Sequence, residues 1–158
     1  MRSKIKSFKQ IQVLAKKLRR ARKKIVFTNG CFDILHLGHV SYLAKAKQFG
    51  DALIVGINND QSVRAIKGRA RPINPEKARA GVLAALETVD FIVLFSEETP
   101  LRLICAIQPD VLVKGSDWKA NAIVGSKEVA SWGGRVKRLP LVTGYSTTKT
   151  IHKMRKPR

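Results

Sequence analysis

Short apolar runs alternate along this chain with segments whose apolar residues recur every three or four positions. Ile25-Val26-Phe27, Ala52–Ile57, Phe91–Phe95, Val111-Leu112-Val113 and Val136–Leu139 are continuous and rich in β-branched or aromatic residues, and they read as five strands. Helical spacing predicts helices between and after them, over about 38–49, 75–87, 100–107, 126–132 and 146–154. Punctuation supports these limits: Gly50 as a helix stop, Asn74 as an N-cap, and Thr99 as a cap with Pro100 opening the next helix. Continuous strands separated by helices imply a parallel sheet covered on both faces, a three-layer α/β fold with a five-stranded sheet. Ligands of such sheets sit beyond the carboxyl ends of the strands, where the strand order reverses.

The N-terminal segment has a pattern of its own. Ile11, Leu14, Ala15 and Leu18 form an apolar helical face surrounded by Lys16, Lys17, Arg19 and Arg20. The formal charge of +20 is concentrated here and at the other end, because residues 1–24 carry eleven Lys or Arg and residues 149–158 carry five, all without acids. The stretch 25–148 holds the other 15 basic residues and all 11 acidic ones, a net of only +4. We therefore expect a basic N-terminal helix or extension over 1–24 and a single domain over 25–158. Its solvated basic face suits RNA or an anionic membrane, but aromatic residues are not interleaved with the cations, and a nucleic-acid role is not expected. No apolar run reaches membrane length, and the N-terminus lacks the apolar core of a signal peptide. Cys31 and Cys105 are far apart in apolar sequence, which fits a reduced, cytoplasmic protein.

The chemistry concentrates where the first strand meets its helix, in Thr28-Asn29-Gly30-Cys31-Phe32-Asp33-Ile34-Leu35-His36-Leu37-Gly38-His39. A helix start offers unpartnered N–H groups and the positive end of its dipole, and His36 and His39 lie three apart at that end. Three readings are open: an anion site, a metal site using Cys31 and Asp33, or a pair of core histidines. Neither the dinucleotide glycine pattern nor the P-loop pattern occurs.

Other loops after strands add polar groups. Asn58-Asn59-Asp60 leads to a cationic loop, Lys67-Gly68-Arg69-Ala70-Arg71-Pro72. Arg79 shares a helix face with Val82, Leu83 and Leu86, so it either protrudes into a ligand site or has a buried partner such as Glu87 or Asp90. Lys114-Gly115-Ser116-Asp117-Trp118 follows the fourth strand, and Gly144-Tyr145-Ser146-Thr147-Thr148-Lys149 opens the last helix. Ser146 suits a cap there, with Thr147 and Thr148 offering hydroxyls to an anion. No activated nucleophile is evident, and cations without one fit transfer between bound phosphates.

Thr28 through His39 resembles the H-x-G-H signature of the nucleotidyltransferase superfamily, and Ser146-Thr147-Thr148 resembles its second motif. From Val26 to Ile151 the chain is similar to the adenylyltransferase domains that make ADP-heptose. Lys67-Gly68, Arg71–Glu76, Thr99–Ile104, Pro109–Gly115 and Gly144–Thr148 carry that likeness.

The resemblance implies a Rossmann-like nucleotidyltransferase fold and adenylyl transfer from ATP, with Mg²⁺ on the triphosphate, to D-glycero-β-D-manno-heptose 1-phosphate. It implies that His36, His39 and Lys67 are catalytic, the histidines donating to the α- and β-phosphates. Thr28, Asn29, Gly30, Phe32, Gly38, Lys114, Gly115, Ser146, Thr147 and Thr148 are implied to bind the nucleotide. Asp33, Lys67, Arg79 and Asp117 are implied to bind the sugar phosphate, and no protein side chain is expected to hold metal. A homodimer and a separate heptose kinase upstream are the implied partners. Trp118 after Asp117 resembles cytidylyltransferases acting on glycerol 3-phosphate. Their Arg-Thr-Glu before the second motif is replaced by Leu141-Val142-Thr143, which favours ATP over CTP.

Overall fold

The computed structural model describes residues 2–119 and 122–155. Its strands are β1 (Ile5–Lys6), β2 (Ile25–Gly30), β3 (Ala52–Asn58), β4 (Phe91–Phe95), β5 (Val111–Gly115) and β6 (Arg135–Leu139). Its α-helices are α1 (Phe8–Arg20), α2 (Leu37–Lys47), α3 (Asp60–Lys67), α4 (Glu76–Ala84), α5 (Leu101–Ile107), α6 (Ser126–Ser131) and α7 (Thr147–Arg155). All strand pairs are parallel, in the order β1-β4-β3-β2-β5-β6.

The sheet therefore has six strands, not five. The extra strand is a two-residue edge piece, with Ile5 opposite Ile92 and Lys6 opposite Val93. Two residues among lysines are too short to show strand periodicity, so only the pairing with β4 reveals it. α3 is likewise absent from the pattern-based reading. Its N-cap is Asn59, whose side chain accepts from Ser62 N at 2.8 Å, and Val63 is its buried anchor.

Three helix-boundary expectations are corrected. Pro75, not Asn74, occupies the N-cap of α4, because the Asn74 side chain donates to the Asp33 carbonyl at 3.0 Å. Pro100 itself is the N-cap of α5, and Thr99 makes no cap there. α2 ends with Gln48 as C-cap, and Gly50 serves packing: a Cβ there would lie 2.7 Å from the Lys24 carbonyl oxygen.

Alternation along the strands divides the core. Val26, Leu53, Val55, Val111 and Val113 pack with Leu43 of α2 and Leu83 of α4. Phe27, Ile54 and Leu112 face the other way, against Ile11 and Ala15 of α1, Leu103, Ile104 and Ile107 of α5, and Val129 of α6. The basic N-terminal segment thus shares both the sheet and the core. Ser7 and Gln10 close a reciprocal capping box at the start of α1, and the cations in its last turn suit the dipole.

The chain runs from β2 to β4 toward one edge, then returns to β5 and β6 on the other side of β2. The reversal between β2 and β5 places Asn29-Gly30 beside Lys114-Gly115 at the carboxyl ends of adjacent strands. A cleft opens there.

Candidate active site

The cleft measures about 510 Å³ and gathers residues from five loops that are far apart in sequence. His36, Gly38 and His39 come from the start of α2, Lys67 from the end of α3, and Lys114, Gly115 and Asp117 from β5 and its turn. Ser146, Thr147 and Thr148 come from the start of α7, while Asn29, Gly30 and Phe32 line the floor.

His36 occupies the N-cap of α2 in extended geometry and makes no side-chain cap bond, which leaves its ring to the cleft. The His36 and His39 rings stack 3.8 Å apart at 16°, and Phe32 meets His39 edge-on at 5.2 Å. A Cβ on Gly38 would lie 3.0 Å from His36 Nδ1 and 3.3 Å from Tyr145 Cβ, so glycine lets the histidine and the α7 approach close together. Burial depresses both histidines, and His36 also acts on His39, which falls to about 4. Both shifts favour the neutral imidazole, which can donate a hydrogen bond without carrying charge.

Lys114 is nearly buried at the end of β5. It donates to Asn29 Oδ1 across the strand-order reversal and lies 5.6 Å from the Trp118 ring centre. Burial lowers its pKa to about 8 despite the opposing charge of Asp117. A Cβ on Gly115 would fall 2.3 Å from Asp117 Oδ1, so glycine here lets the Asp117 carboxylate lie against the backbone. At α7, Ser146 Oγ accepts from Lys149 N at 3.1 Å, as a cap does, and the two threonines after it line the cleft.

Three expected site residues are placed otherwise. Thr28 is fully buried, bonded through its hydroxyl to Tyr42 at 2.8 Å, and does not line the cleft. It supports the loop from beneath. The Arg79 side chain has 0% exposure, and its guanidinium donates to the carbonyls of Asn74, Cys31 and Asn58 and to Asp60 Oδ1 at 2.8 Å. Its partner is Asp60, not Glu87 or Asp90, and it acts as a strut tying three loops together. Asp33 is spent on the α3–α4 loop, accepting from Arg71 Nε, Ile73 N and Asn74 N, so its carboxylate is not free for a sugar hydroxyl. Burial opposes its charge, but the Asn74 and Ile73 amides and the Arg71 guanidinium outweigh that and hold it below the usual carboxylate range.

Tyr42 and Tyr145 also line the cleft, although residue type and spacing single out neither of them. Arg71 lines the cleft. Its signal was there to read, as a cation followed by proline in a loop after a strand. Cys31 also lines the cleft, but burial pushes its thiol up, against the effect of Lys67, Arg79 and Arg71, which argues against a thiolate nucleophile. Among the described residues, no group of three or more His, Cys, Asp or Glu could hold a metal ion. Among them, no helix is long and apolar enough to cross a membrane.

The chain belongs to the cytidylyltransferase-like family, whose model matches residues 27–153. That family takes its name from cytidylyl transfer, one of the class of nucleotidyl transfers. Within that class, the chain is 53% identical over 96% of its length to the bifunctional protein HldE of Koribacter versatilis, and 52% identical over 97% to that of Geotalea uraniireducens. It spans 31% of the length of each of these curated relatives. Among solved structures, a lipopolysaccharide core biosynthesis protein from Thermoplasma volcanium superposes with a TM-score of 0.63 at 30% identity, covering 78% of this chain and 99% of that one. Pantoate-β-alanine ligase from Francisella tularensis superposes with a TM-score of 0.62 at 18% identity, covering 93% of this chain and 75% of that one, a likeness of fold.

Proposed function

We propose that this chain transfers the adenylyl group of ATP to D-glycero-β-D-manno-heptose 1-phosphate, giving ADP-heptose and pyrophosphate for the heptose of the lipopolysaccharide core. The observation that carries this reading is the meeting of two stacked histidines and a hydroxyl-rich helix start in one cleft. Similarity to HldE over nearly the whole chain supports the heptose substrate.

In this reading an oxygen of the sugar phosphate attacks the α-phosphorus in line. A new P–O bond forms as the bond to the bridging β-phosphate oxygen breaks, and that oxygen leaves with the electron pair as pyrophosphate. His36 and His39 donate to the α- and β-phosphate oxygens as charge moves to the leaving group. The start of α7, with Ser146, Thr147 and Thr148, holds the β- and γ-phosphates by amides and hydroxyls. Lys67 neutralises phosphate charge, Lys114 and Asn29 hold the nucleotide, and Gly115 lets the adenosine lie against the backbone. Asp117 takes a sugar hydroxyl. No covalent enzyme intermediate is needed, consistent with a thiol at Cys31 that burial keeps protonated.

The donor set fits a metal delivered by the nucleotide, because the carboxylates that line the cleft, Asp33, Glu98 and Asp117, come from three separate loops and Asp33 is already spent on Arg71. Mg²⁺ bound to the triphosphate would neutralise part of its charge. The reading places a heptose kinase upstream, in the cytoplasm, and a second copy of this chain as partner in a homodimer. Pyrophosphate release measured over a panel of ATP and CTP with heptose 1-phosphate and glycerol 3-phosphate tests the reading. Turnover with ATP and heptose 1-phosphate is expected; turnover with CTP and glycerol 3-phosphate alone would overturn it.

A further inference from the structure

Arg71 lies between α3 and α4 and lines the cleft. Its Nε donates to Asp33 Oδ2 at 2.6 Å, and among the described residues neither of its Nη atoms has a protein acceptor. The Asp33 side chain is 0% exposed and that of Arg71 16%, so the pair is formed largely out of water. Asp33 also accepts from Ile73 N at 2.8 Å and Asn74 N at 2.8 Å, while its own carbonyl takes the Asn74 amide. One carboxylate therefore fixes both the loop and one nitrogen of the guanidinium.

What remains of Arg71 is the pair of Nη groups, a fork matched to two oxygens of one phosphoryl group. A guanidinium already held in place loses little freedom when it binds. Topology separates this fork from the nucleotide side of the cleft. Arg71 enters from the β3–β4 crossover, whereas Lys114, Gly115 and α7, which hold the nucleotide in this reading, follow β5 and β6 on the other side of β2. Of the other cations of this crossover, Arg79 is consumed by protein acceptors, while Lys67 shares the cleft with Arg71.

We propose that Arg71 binds the phosphomonoester of the acceptor substrate through its Nη groups and that Asp33 is its positioning residue. This rests on the adenylyl-transfer reading and names the part of the cleft that holds the acceptor. Arg71→Ala is expected to raise KM for heptose 1-phosphate about tenfold or more while KM for ATP stays within about twofold, the loss of a charge-assisted pair. Arg71→Lys recovers part of that loss through its charge. Asp33→Asn moves the acceptor KM in the same direction by a smaller factor, whereas a merely structural role would change kcat and both KM values together. A rise in KM for ATP alone, or no change in either KM, overturns the proposal.

If the wild-type chain turns over no sugar phosphate, the adenylyl-transfer reading fails by itself. Inorganic phosphate titrated by calorimetry into the wild-type chain and Arg71→Ala then decides the fork separately. Weakening of about tenfold or more in the variant supports it; equal binding, or none by the wild-type chain, overturns it.

Discussion

The imidazole of His39 lies face to face with that of His36, 3.8 Å between centres, and the Nδ1 atoms of both are buried without a hydrogen-bond partner among the described residues. The stack leaves each ring only its outer nitrogen for a ligand. If the histidines steady charge that appears only as the α–β bridge breaks, His39→Ala should cut kcat for pyrophosphate release by ~100-fold or more. ATP affinity, measured by calorimetry, should change far less than that.

The same burial has a consequence for stability. His39 falls from 6.5 to about 4 in the folded chain, so between those values the unfolded chain binds a proton that the folded one refuses. Stability should therefore decline as pH falls from about 6.5 toward 4. Denaturation midpoints across that window check the sign, and His39→Gln should flatten the slope.

Arg79 is a strut rather than a ligand cation. Removing it leaves three carbonyls and Asp60 without their shared donor in a buried setting. Arg79→Met should cost about 3 kcal/mol or more in urea unfolding. A cost near zero would mean that the three loops hold without it.

Lys114 should make nucleotide binding sensitive to alkali. With its pKa near 8, burial being the cause, the side chain loses its charge earlier than an ordinary lysine as pH rises. KM for ATP should climb above about pH 8 in the wild-type chain. In Lys114→Arg the guanidinium stays charged, and the climb should vanish.

The N-terminal helix should matter to the whole fold. Ile11 is fully buried against α5 and the sheet, so Ile11→Ala should destabilise the chain by about 2–4 kcal/mol in equilibrium denaturation. A basic appendage on an independent domain would show almost no change.

Much of this was legible along the chain because it is local. Continuous apolar runs mark strands buried on both faces, and the five strands read this way each contain or overlap an observed one. Ser146 shows its capping chemistry in three residues, and the two histidines stand one turn apart at a helix start. β1 and α3 were hidden for opposite reasons: one is too short to have a period, and the other begins in a polar run that reads as a loop.

By itself, then, the sequence determined the layers, the parallel sheet, the histidine loop and the hydroxyl-rich helix start, since each follows from residue type and spacing within a dozen positions. Only the tertiary structure decided which cations face the cleft. Arg71 and Arg79 stand eight residues apart and look equivalent as charges, yet one is pinned by Asp33 with its fork open and the other is spent on Cys31, Asn58, Asp60 and Asn74. Those partners come from distant loops, and a guanidinium's role is set by which acceptors the fold brings within about 3 Å of it.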